Sequence, residues 1–385
     1  MQNFSFQNRT RIHFGEKQIA KITEEIPKTA NVLVVYGGGS IKKNGVYQQV
    51  SDALSDHAWF EFSGVEPNPS YYTLMQANAI IEKENINYIL AVGGGSVIDG
   101  AKFIAAAACY KGRDPWNILA QKEEVSQALP IGVVLTLPAT GSESNANAVV
   151  TRDSIKLAFS SPQVHPLFAI LDPSVTLSLS DRQISNGVVD AFVHVLEQYL
   201  TYKVDAKVQD RFAEGLLQTL IEDGPLALTE SHRNDLEVRG NLMWAATMAL
   251  NGMIGVGVPQ DWSTHIIGHE LTGSFGIDHA RTLSVVLPAL IKICRQNKES
   301  KLVQYAERVW GLTEGSNIDK IDEAIRLTEA FFEEMQVPTR LSQIELGKSD
   351  IDTLINGLER NGMLAIGEHR DITLDVSRKI LETAL

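Results

Sequence analysis

The chain has 385 residues, which is too long for one typical hydrophobic core and predicts two domains. Hydrophobic residues make up 44% of it and charged residues 21%, as in ordinary globular proteins, and no apolar run is long enough to span a membrane. The net charge of −13 argues against nucleic acid or an anionic membrane as a partner, because both are bound through bulk positive charge.

The first half of the chain alternates short apolar runs with helical patterns. Strands spaced about thirty residues apart with helices between them indicate βαβ units and a parallel sheet. A polar link between two further runs, Ala148–Thr151 and Lys156–Phe159, predicts a small hairpin. The predicted strands are Asn31–Tyr36, Trp59–Phe62, Tyr88–Val92, Pro130–Leu137 and Phe168–Leu171. One helix is predicted to start at about Lys43, and two more are predicted over Tyr71–Glu84 and Val97–Cys109.

Helical periodicity dominates from Asp181 to the end, and strand-like runs are almost absent there. We therefore predict a Rossmann-like α/β domain with a parallel sheet at residues 1–180 and an all-helical domain at residues 181–385. The candidate helices are Gln183–Tyr202, Ala206–Ile221, Asp235–Asn251, Gln260–Leu271, Leu283–Arg295, Lys301–Val309, Ile318–Met335, Asp350–Gly357 and Thr373–Thr383.

The two cysteines, Cys109 and Cys294, lie in apolar helical patterns, which favours buried thiols over a disulfide and suits a reducing compartment. The opening residues, MQNFSFQNRTRIHFG, lack an apolar core of signal-peptide length. We therefore expect a cytoplasmic protein.

A glycine-rich turn, Gly93-Gly94-Gly95-Ser96, lies between a predicted strand and helix. Glycine lets a ligand approach the backbone, and the N–H groups of a helix N-terminus attract an anion such as a pyrophosphate. The alternative is a tight turn closed by a capping box, since Ser96 and Asp99 have that spacing. The Rossmann fingerprint GxGxxG is absent, because Ile98 stands where its third glycine belongs.

A similar turn, Gly37-Gly38-Gly39-Ser40, follows the earlier strand without the acidic residue that usually holds the ribose of NAD. Lys42 and Lys43 follow it, so a 2′-phosphate would meet N–H groups, a hydroxyl and positive charge. This favours NADPH over NADH, while the alternative is a plain loop with two solvated lysines. In the loop Leu137–Asn147, small residues such as Thr140 and Ser142 could contact the same cofactor.

Three of the nine histidines lie within fifteen residues. His265 and His269 are four apart and share one face of a predicted helix, and His279 follows in a predicted loop. Asp190 and His194 are also four apart on a predicted apolar helix, where a carboxylate is costly unless it is paired or metal-bound. Three histidines and one carboxylate suit Zn²⁺ or Fe²⁺. The alternatives are a helix end with polar capping groups and an internal Asp190–His194 pair.

Several motifs together resemble the iron-containing, or group III, alcohol dehydrogenases over essentially the full length of the chain. The chain is similar to the branch of bacterial NADPH-dependent aldehyde reductases and butanol dehydrogenases. The segment HRDITLDVSR at His369–Arg378 is similar to that branch's closing segment. The other motifs are GVEPNP at Gly64–Pro69, GGGSVIDGAK at Gly93–Lys102, LPATGSES at Leu137–Ser144, LDPSVT at Leu171–Thr176, DAFVH at Asp190–His194 and THIIGHELTGSFGIDHA at Thr264–Ala280.

The resemblance implies the two-domain plan that dehydroquinate synthases share, and a homodimer joined through the strand Thr10–Phe14. It implies reduction of aldehydes to primary alcohols with NADPH and one divalent metal. Broad acceptance of short aliphatic aldehydes is expected from the small and apolar residues of the candidate cleft, which are Asn147, Met253, Val258 and Trp262. His269 matches a histidine near the substrate, which could relay a proton or be structural. The residues that match the metal ligands are Asp190, His194, His265 and His279, and those that match cofactor contacts are Gly38, Gly39, Ser40, Gly94, Gly95, Ser96, Asp99, Thr136, Thr140, Ser142 and Lys156.

Three other functions are alternatives to NADPH-dependent aldehyde reduction. An NAD-dependent polyol or glycerol-type dehydrogenase of the same superfamily is disfavoured by the missing acidic residue near Gly37. A lyase similar to dehydroquinate synthases would need basic residues for a phosphate-bearing substrate, and the helical half shows no basic cluster near the histidines. A metal-dependent hydrolase would need no glycine-rich nucleotide turns.

Overall fold

The computed structural model describes residues 1–153 and 155–385. The chain divides into two compact units, one of residues Gln7–Leu179 and one of Ser180–Leu385 together with Met1–Phe6. The first six residues, which the sequence assigns to the α/β domain, belong to the helical unit instead. Gln2 anchors them there by donating its backbone N–H to the carbonyl of Gly257 at 2.9 Å.

The first unit is an α/β fold with a parallel sheet and one antiparallel hairpin, as predicted. The strands among its described residues are β1 (Arg11–Phe14), β2 (Asn31–Tyr36), β3 (Ala58–Phe62), β4 (Tyr88–Gly94), β5 (Ile131–Leu137), β6 (Asn147–Arg152), β7 (Ile155–Ser160) and β8 (Phe168–Leu171). Its helices are α1 (Ile22–Glu25), α2 (Val46–Ala53), α3 (Tyr71–Met75), α4 (Ala77–Lys83), α5 (Gly95–Cys109) and α6 (Asn117–Ala120). The single helix predicted over Tyr71–Glu84 is wrong, since α3 and α4 are separated at Gln76.

The six-stranded sheet has the order β1-β8-β5-β4-β2-β3, and its strands pair in parallel. From β2 the chain moves outward to β3 and then returns to place β4 on the other side of β2. The order therefore reverses between β2 and β4, and ligands of open α/β sheets bind at the carboxyl ends of strands beside such a switch point. Both glycine-rich turns follow these two strands.

The central strands are apolar because both of their faces are covered. Val32, Val34 and Tyr36 of β2 pack with Leu90 and Val92 of β4 in one core. Because these apolar runs are continuous, the strand bounds predicted from the sequence are close to those observed.

The second unit is helical, apart from a small antiparallel pair of β9 (Ala365–Ile366) and β10 (Ile372–Thr373) that the prediction of an all-helical domain missed. The first helix begins with a capping box in which Ser180 and Gln183 bond reciprocally, which fixes where the helical half starts. The helices are α7 (Asp181–Tyr199), α8 (Lys207–Leu226), α9 (Leu236–Ala249), α10 (Ser263–Phe275), α11 (His279–Ile293), α12 (Arg295–Arg308), α13 (Asn317–Glu334), α14 (Lys348–Arg360) and α15 (Leu374–Thr383).

None of the helices in the described part of the chain is long and apolar enough to cross a membrane. Cys109 and Cys294 are both free thiols, and they are half-buried rather than fully buried.

We predict that Gly95→Ala destabilises the first unit by about 1–2 kcal/mol, because overpacking outweighs the small gain in helix propensity. A Cβ at Gly95 would lie 2.5 Å from Oγ1 and 2.7 Å from Cγ2 of Thr140. Urea unfolding measures the change. Gly38→Ala is the control, since no heavy atom lies within 4 Å of a Cβ added there. Adding Thr140→Ala to Gly95→Ala should restore part of the stability, and equal losses in the single and double variants would contradict the steric cause.

Candidate functional site

Three helices of the second unit bring the predicted metal ligands together. Asp190 and His194 lie one turn apart on α7 and are only 3% and 4% exposed. His265 and His269 lie one turn apart on α10. The prediction of a loop at His279 is wrong, because His279 is the first residue of α11.

The carboxylate of Asp190 lies at the centre of the cluster. Its Oδ1 is 3.7 Å from His194 Nδ1, 3.9 Å from His265 Nε2 and 3.7 Å from His279 Nε2. Asp190, His265 and His279 each offer one ligand atom, and these atoms all lie within 4.8 Å of one another. His194 lies beside this compact group, with its ring stacked on that of His265 at 4.6 Å between centroids.

These residues fit a divalent cation. Oδ1 of Asp190 is buried and has no hydrogen-bond partner among the described residues. Distances of 3.7–3.9 Å to the imidazole nitrogens are too long for hydrogen bonds. They are close to the separation of roughly 3.4 Å between two atoms that share a tetrahedral metal ion. A carboxylate and neutral imidazoles are suitable ligands for Zn²⁺ or Fe²⁺, and no thiolate takes part.

Glu197 is a residue of this site that the sequence analysis missed. It is 4% exposed, and its Oε2 is hydrogen-bonded to His265 Nδ1, which leaves Nε2 to face Asp190. Its Oε1 accepts the backbone N–H of Thr264 at 2.5 Å. Burial and then the charge of Asp261 raise the pKa of Glu197 to about 8. A cation at His265 would favour the ionised form, and such outer carboxylates commonly orient metal-bound histidines.

His269 lies beside the cluster. Its ring centroid is 5.0 Å from that of His279 and 6.1 Å from that of His265. The indole of Trp262 also borders the cluster, with centroids 5.3 Å from His265 and 6.1 Å from His194. Trp262 adopts the left-handed region at φ 64°, which costs a bulky residue about 1–2 kcal/mol and is held by its surroundings.

The predicted cofactor turns lie at the switch point of the first unit. Gly38, Gly39 and Ser40 follow β2, and Gly39 has φ +89°, which glycine adopts without strain. Gly94 ends β4, and Gly95 and Ser96 begin α5. Thr136 lies near the end of β5, which pairs with β4. The capping-box alternative for Ser96 and Asp99 is wrong, because the cap of α5 is Gly94 and no side chain bonds there.

The surroundings of Lys42 differ from those expected. The sequence shows no carboxylate after β2, but Glu61 of the neighbouring strand β3 lies 3.0 Å from the Lys42 ammonium. Tyr36 and Tyr47 also donate their hydroxyls to Glu61. Burial opposes ionisation, yet these hydrogen bonds hold the pKa of Glu61 below its usual range. The positive charge expected for a 2′-phosphate is therefore compensated by Glu61.

A buried lysine holds the loop that follows β5. Lys102 is fully buried, and its ammonium donates to Ser142 Oγ at 2.8 Å, Asn145 Oδ1 at 3.0 Å and the carbonyl of Asn147 at 2.7 Å. Burial lowers the pKa of Lys102 to about 8. Ser142 in turn donates its hydroxyl to Asp99 at 2.6 Å.

Two of the predicted cofactor contacts, Ser142 and Asp99, thus form hydrogen bonds within the protein. Ser142 is 2% exposed, and its only hydroxyl proton is donated to Asp99. The other oxygen of Asp99 accepts the N–H of Val149 at 2.9 Å, and burial raises the pKa of Asp99. These side chains shape the loop that bears Thr140. Elsewhere, Lys156 on β7 donates to Asn68 Oδ1 at 2.9 Å, inside the GVEPNP motif.

The sequence contained a spacing signal for two of the three residues that were not predicted, Glu197 and Lys102, but none for Glu61. Glu197 is seven residues from Asp190, so it lies on the same face of α7, and that spacing was a usable signal. Lys102 stands three residues after Asp99 on α5, which is a similar signal. Glu61 had none, because it is on a separate strand and meets Lys42 only through the pairing of β2 with β3.

An α/β half with ligand turns at its switch point and a helical half with a buried histidine–carboxylate cluster are together the architecture of a metal-dependent dehydrogenase. The family model of the iron-containing alcohol dehydrogenases matches residues 9–173, and the model of the family's C-terminal region matches residues 184–385. The chain belongs to this family of oxidoreductases.

Full-length relatives support the assignment. The chain is 58% identical to the NADPH-dependent aldehyde reductase YqhD of Escherichia coli K-12, and the match covers 100% of both proteins. It is 37% identical to the probable NADH-dependent butanol dehydrogenase 1 of Bacillus subtilis, again over 100% of both.

Solved structures confirm the predicted fold class. The crystal structure of Escherichia coli YqhD matches with a TM-score of 0.98 at 57% identity, covering 100% of this chain and 99% of that one. The NADH-dependent butanol dehydrogenase A of Thermotoga maritima matches with a TM-score of 0.95 at 36% identity, with the same coverage.

We predict that Lys102 makes stability rise with pH between about pH 8 and about pH 10.5. In that window the unfolded chain binds the lysine proton more fully than the folded chain, and below it both are protonated. Relative to Lys102→Met, the wild type should gain up to about 3 kcal/mol of unfolding free energy across the window. Urea unfolding at several pH values checks this, with the exposed Lys111→Met as control. Parallel pH profiles for wild type and Lys102→Met would contradict it.

Proposed function

We propose that this protein reduces aldehydes to primary alcohols, and catalyses the reverse oxidation, with NADPH and one divalent metal ion. The observation that carries the proposal is the buried Asp190 carboxylate facing three imidazoles in a chain of the iron-containing alcohol dehydrogenase family. Its 58% identity to an enzyme named as an NADPH-dependent aldehyde reductase supports the substrate class and the cofactor.

The proposed metal ligands are Asp190, His194, His265 and His279. When bound there, a divalent metal is a Lewis acid that stabilises negative charge developing on a carbonyl oxygen. Asp190 would supply the only formal negative charge among the ligands. Glu197 would hold His265 with Nε2 directed at the cluster. Either Zn²⁺ or Fe²⁺ suits these ligands, and the family name favours iron.

The proposed cofactor contacts lie along the carboxyl ends of β2, β4 and β5. NADPH, when bound, supplies the hydride. The N–H groups of Gly94, Gly95 and Ser96 would bind its pyrophosphate, since they form the end of β4 and the first turn of α5. Gly38, Gly39 and Ser40 would bind the 2′-phosphate. Further proposed contacts are Thr136, Thr140 and Lys156, with Asp99 and Ser142 shaping the loop.

His269 is the proposed proton relay. It lies one turn from His265, and its ring is 5.0 Å from that of His279. A histidine at this distance from the metal ligands can pass a proton to a developing alkoxide through a water molecule.

The proposal extends to the partner and the compartment. β1 is an edge strand that pairs only with β8 in the described sheet, and its Phe14 is 45% exposed. An edge strand of this kind suits pairing with a second copy of the chain, so a homodimer through Thr10–Phe14 is proposed. Two free cysteines suit the reducing cytoplasm.

The nearest alternative is an NAD-dependent polyol dehydrogenase of the same superfamily. An uncompensated carboxylate beside β2 would favour NADH, whereas Glu61 is bound by Lys42. Initial rates with NADPH and NADH on butanal and on glycerol, before and after chelation, distinguish the two functions. Rates that favour NADH and glycerol would overturn the proposal.

We predict that His265→Ala loses nearly all bound metal and lowers kcat/KM for butanal by about 1,000-fold or more, because several kcal/mol of charge stabilisation disappear. Elemental analysis and NADPH oxidation measure the two effects. His232→Ala, in the loop between α8 and α9, should keep both near wild type. Wild-type activity in a metal-free His265→Ala protein would contradict the mechanism.

We predict that Lys42→Met lowers the preference for NADPH over NADH by about threefold to tenfold, because Glu61 would then repel a 2′-phosphate. The ratio of kcat/KM values for the two cofactors measures the preference. Lys43→Met is the matched control, since it keeps the Lys42–Glu61 pair. The double change Lys42→Met with Glu61→Gln should restore most of the preference, and a double variant no better than the single one would rule out this electrostatic cause.

A further inference from the structure

A buried lysine outside the proposed metal ligands connects three parts of the helical unit. The side chain of Lys298, on α12, is 3% exposed. Its ammonium contacts Asp261 Oδ2 at 2.6 Å, Glu368 Oε1 at 2.7 Å and the carbonyl of Leu200 at 2.8 Å. An ammonium has three protons, so these contacts use its full donor capacity.

Asp261 connects Lys298 to the first turn of α10 through its side chain. Its Oδ1 accepts the N–H of Ser263 at 2.9 Å, and its own N–H donates to the carbonyl of Glu197 at 2.9 Å. Between these contacts lies Trp262 with its left-handed backbone, a conformation that persists only where neighbouring contacts hold it. Asp261 therefore holds the first turn of α10 against α7 at Glu197.

Glu368 contacts Lys298 and immediately precedes the closing segment His369–Arg378. The Glu368 side chain is 4% exposed. Next to it, Gly367 has φ +87°, and a Cβ there would lie 3.1 Å from Ser263 Oγ. Gly367 and Glu368, which lead into the closing segment, thus lie beside the first turn of α10 and the Lys298–Asp261 contact.

The charges make Lys298 indispensable to this arrangement. Burial would lower the pKa of Lys298, but Asp261 and Glu368 raise it above its usual value. Burial would raise the pKa of Asp261, but Lys298 holds it below its usual range. Without the ammonium, two buried carboxylates would face each other uncompensated, and they would separate or protonate.

We propose that Lys298 is a positioning residue for the metal ligand His265, acting through Asp261 and Glu197. Lys298 fixes Asp261, and Asp261 holds the first turn of α10 against α7 at Glu197. The carboxylate of Glu197 in turn orients the imidazole of His265. The inference rests on the proposed function, because it takes His265 as a metal ligand. It also gives a role to Glu368, the residue before the closing segment, which contacts the same ammonium.

The test is the Zn²⁺ affinity of the metal-free full-length protein, measured by competition with a chromophoric chelator. Lys298→Met is expected to weaken Zn²⁺ binding by about tenfold or more, as loss of support for a metal-bound histidine does. Asp261→Asn keeps the size and the acceptor for Ser263 but removes the charge that Lys298 binds. It should weaken Zn²⁺ binding in the same direction.

Lys301→Met is the matched control. Lys301 lies on the same helix, its side chain is 4% exposed, and its ammonium is 2.6 Å from Asp210 of α8. Removing it breaks a buried ion pair with α8 that includes no residue of α10, so the melting temperature should fall while Zn²⁺ affinity stays within about twofold. An equal loss of affinity in Lys301→Met would show a general loss of stability and overturn the inference.

A folded Lys298→Met variant with wild-type Zn²⁺ affinity would also overturn the inference. If Lys298→Met does not fold, wild-type Zn²⁺ affinity in Asp261→Asn would overturn it instead. Measuring His265→Ala alongside separates the two proposals. Wild-type affinity in His265→Ala overturns the proposed metal site and this inference with it. A loss in His265→Ala with wild-type affinity in Lys298→Met and Asp261→Asn overturns the inference alone.

Discussion

The burial of one carboxylate constrains how α7, α10 and α11 of the helical unit can meet. Asp190 is 3% exposed, and a charge in that position costs several kcal/mol unless other groups or a cation compensate it. Three helices meet so that imidazole nitrogens face its Oδ1 at 3.7–3.9 Å. A divalent cation among these atoms would turn an unfavourable burial into a stabilising one, so metal binding and the packing of α7, α10 and α11 are linked.

Other buried charges in the chain are compensated in the same way, each by a group from a different element. Asp261 and Glu368 lie on either side of Lys298, and Lys102 holds Ser142 and the loop beyond β5. Such pairs add little net stability compared with apolar packing, but breaking one is costly, and this restricts the backbone around them to one arrangement.

Most of the fold follows from local patterns. The strands Asn31–Tyr36 and Phe168–Leu171 have the predicted bounds, because apolar runs covered on both faces stand out from their polar flanks. The helices of the second half lie within a few residues of their predicted ranges, except that α8 ends at Leu226 rather than Ile221 and α12 begins at Arg295 rather than Lys301. At His279 the glycines before it suggest a loop, yet a helix begins at His279 itself.

The sequence by itself determined what short-range spacing can express: the two halves, the glycine-rich turns, and the pairs Asp190–His194 and His265–His269, which share a helix face because they are four residues apart. The tertiary structure alone decided the partners of those groups. Glu197 meets His265, Glu61 meets Lys42 and Lys298 meets Asp261 across 68, 19 and 37 residues of chain. No local pattern records such contacts, because a charged side chain has the same local signature whether it ends in water or against a buried partner.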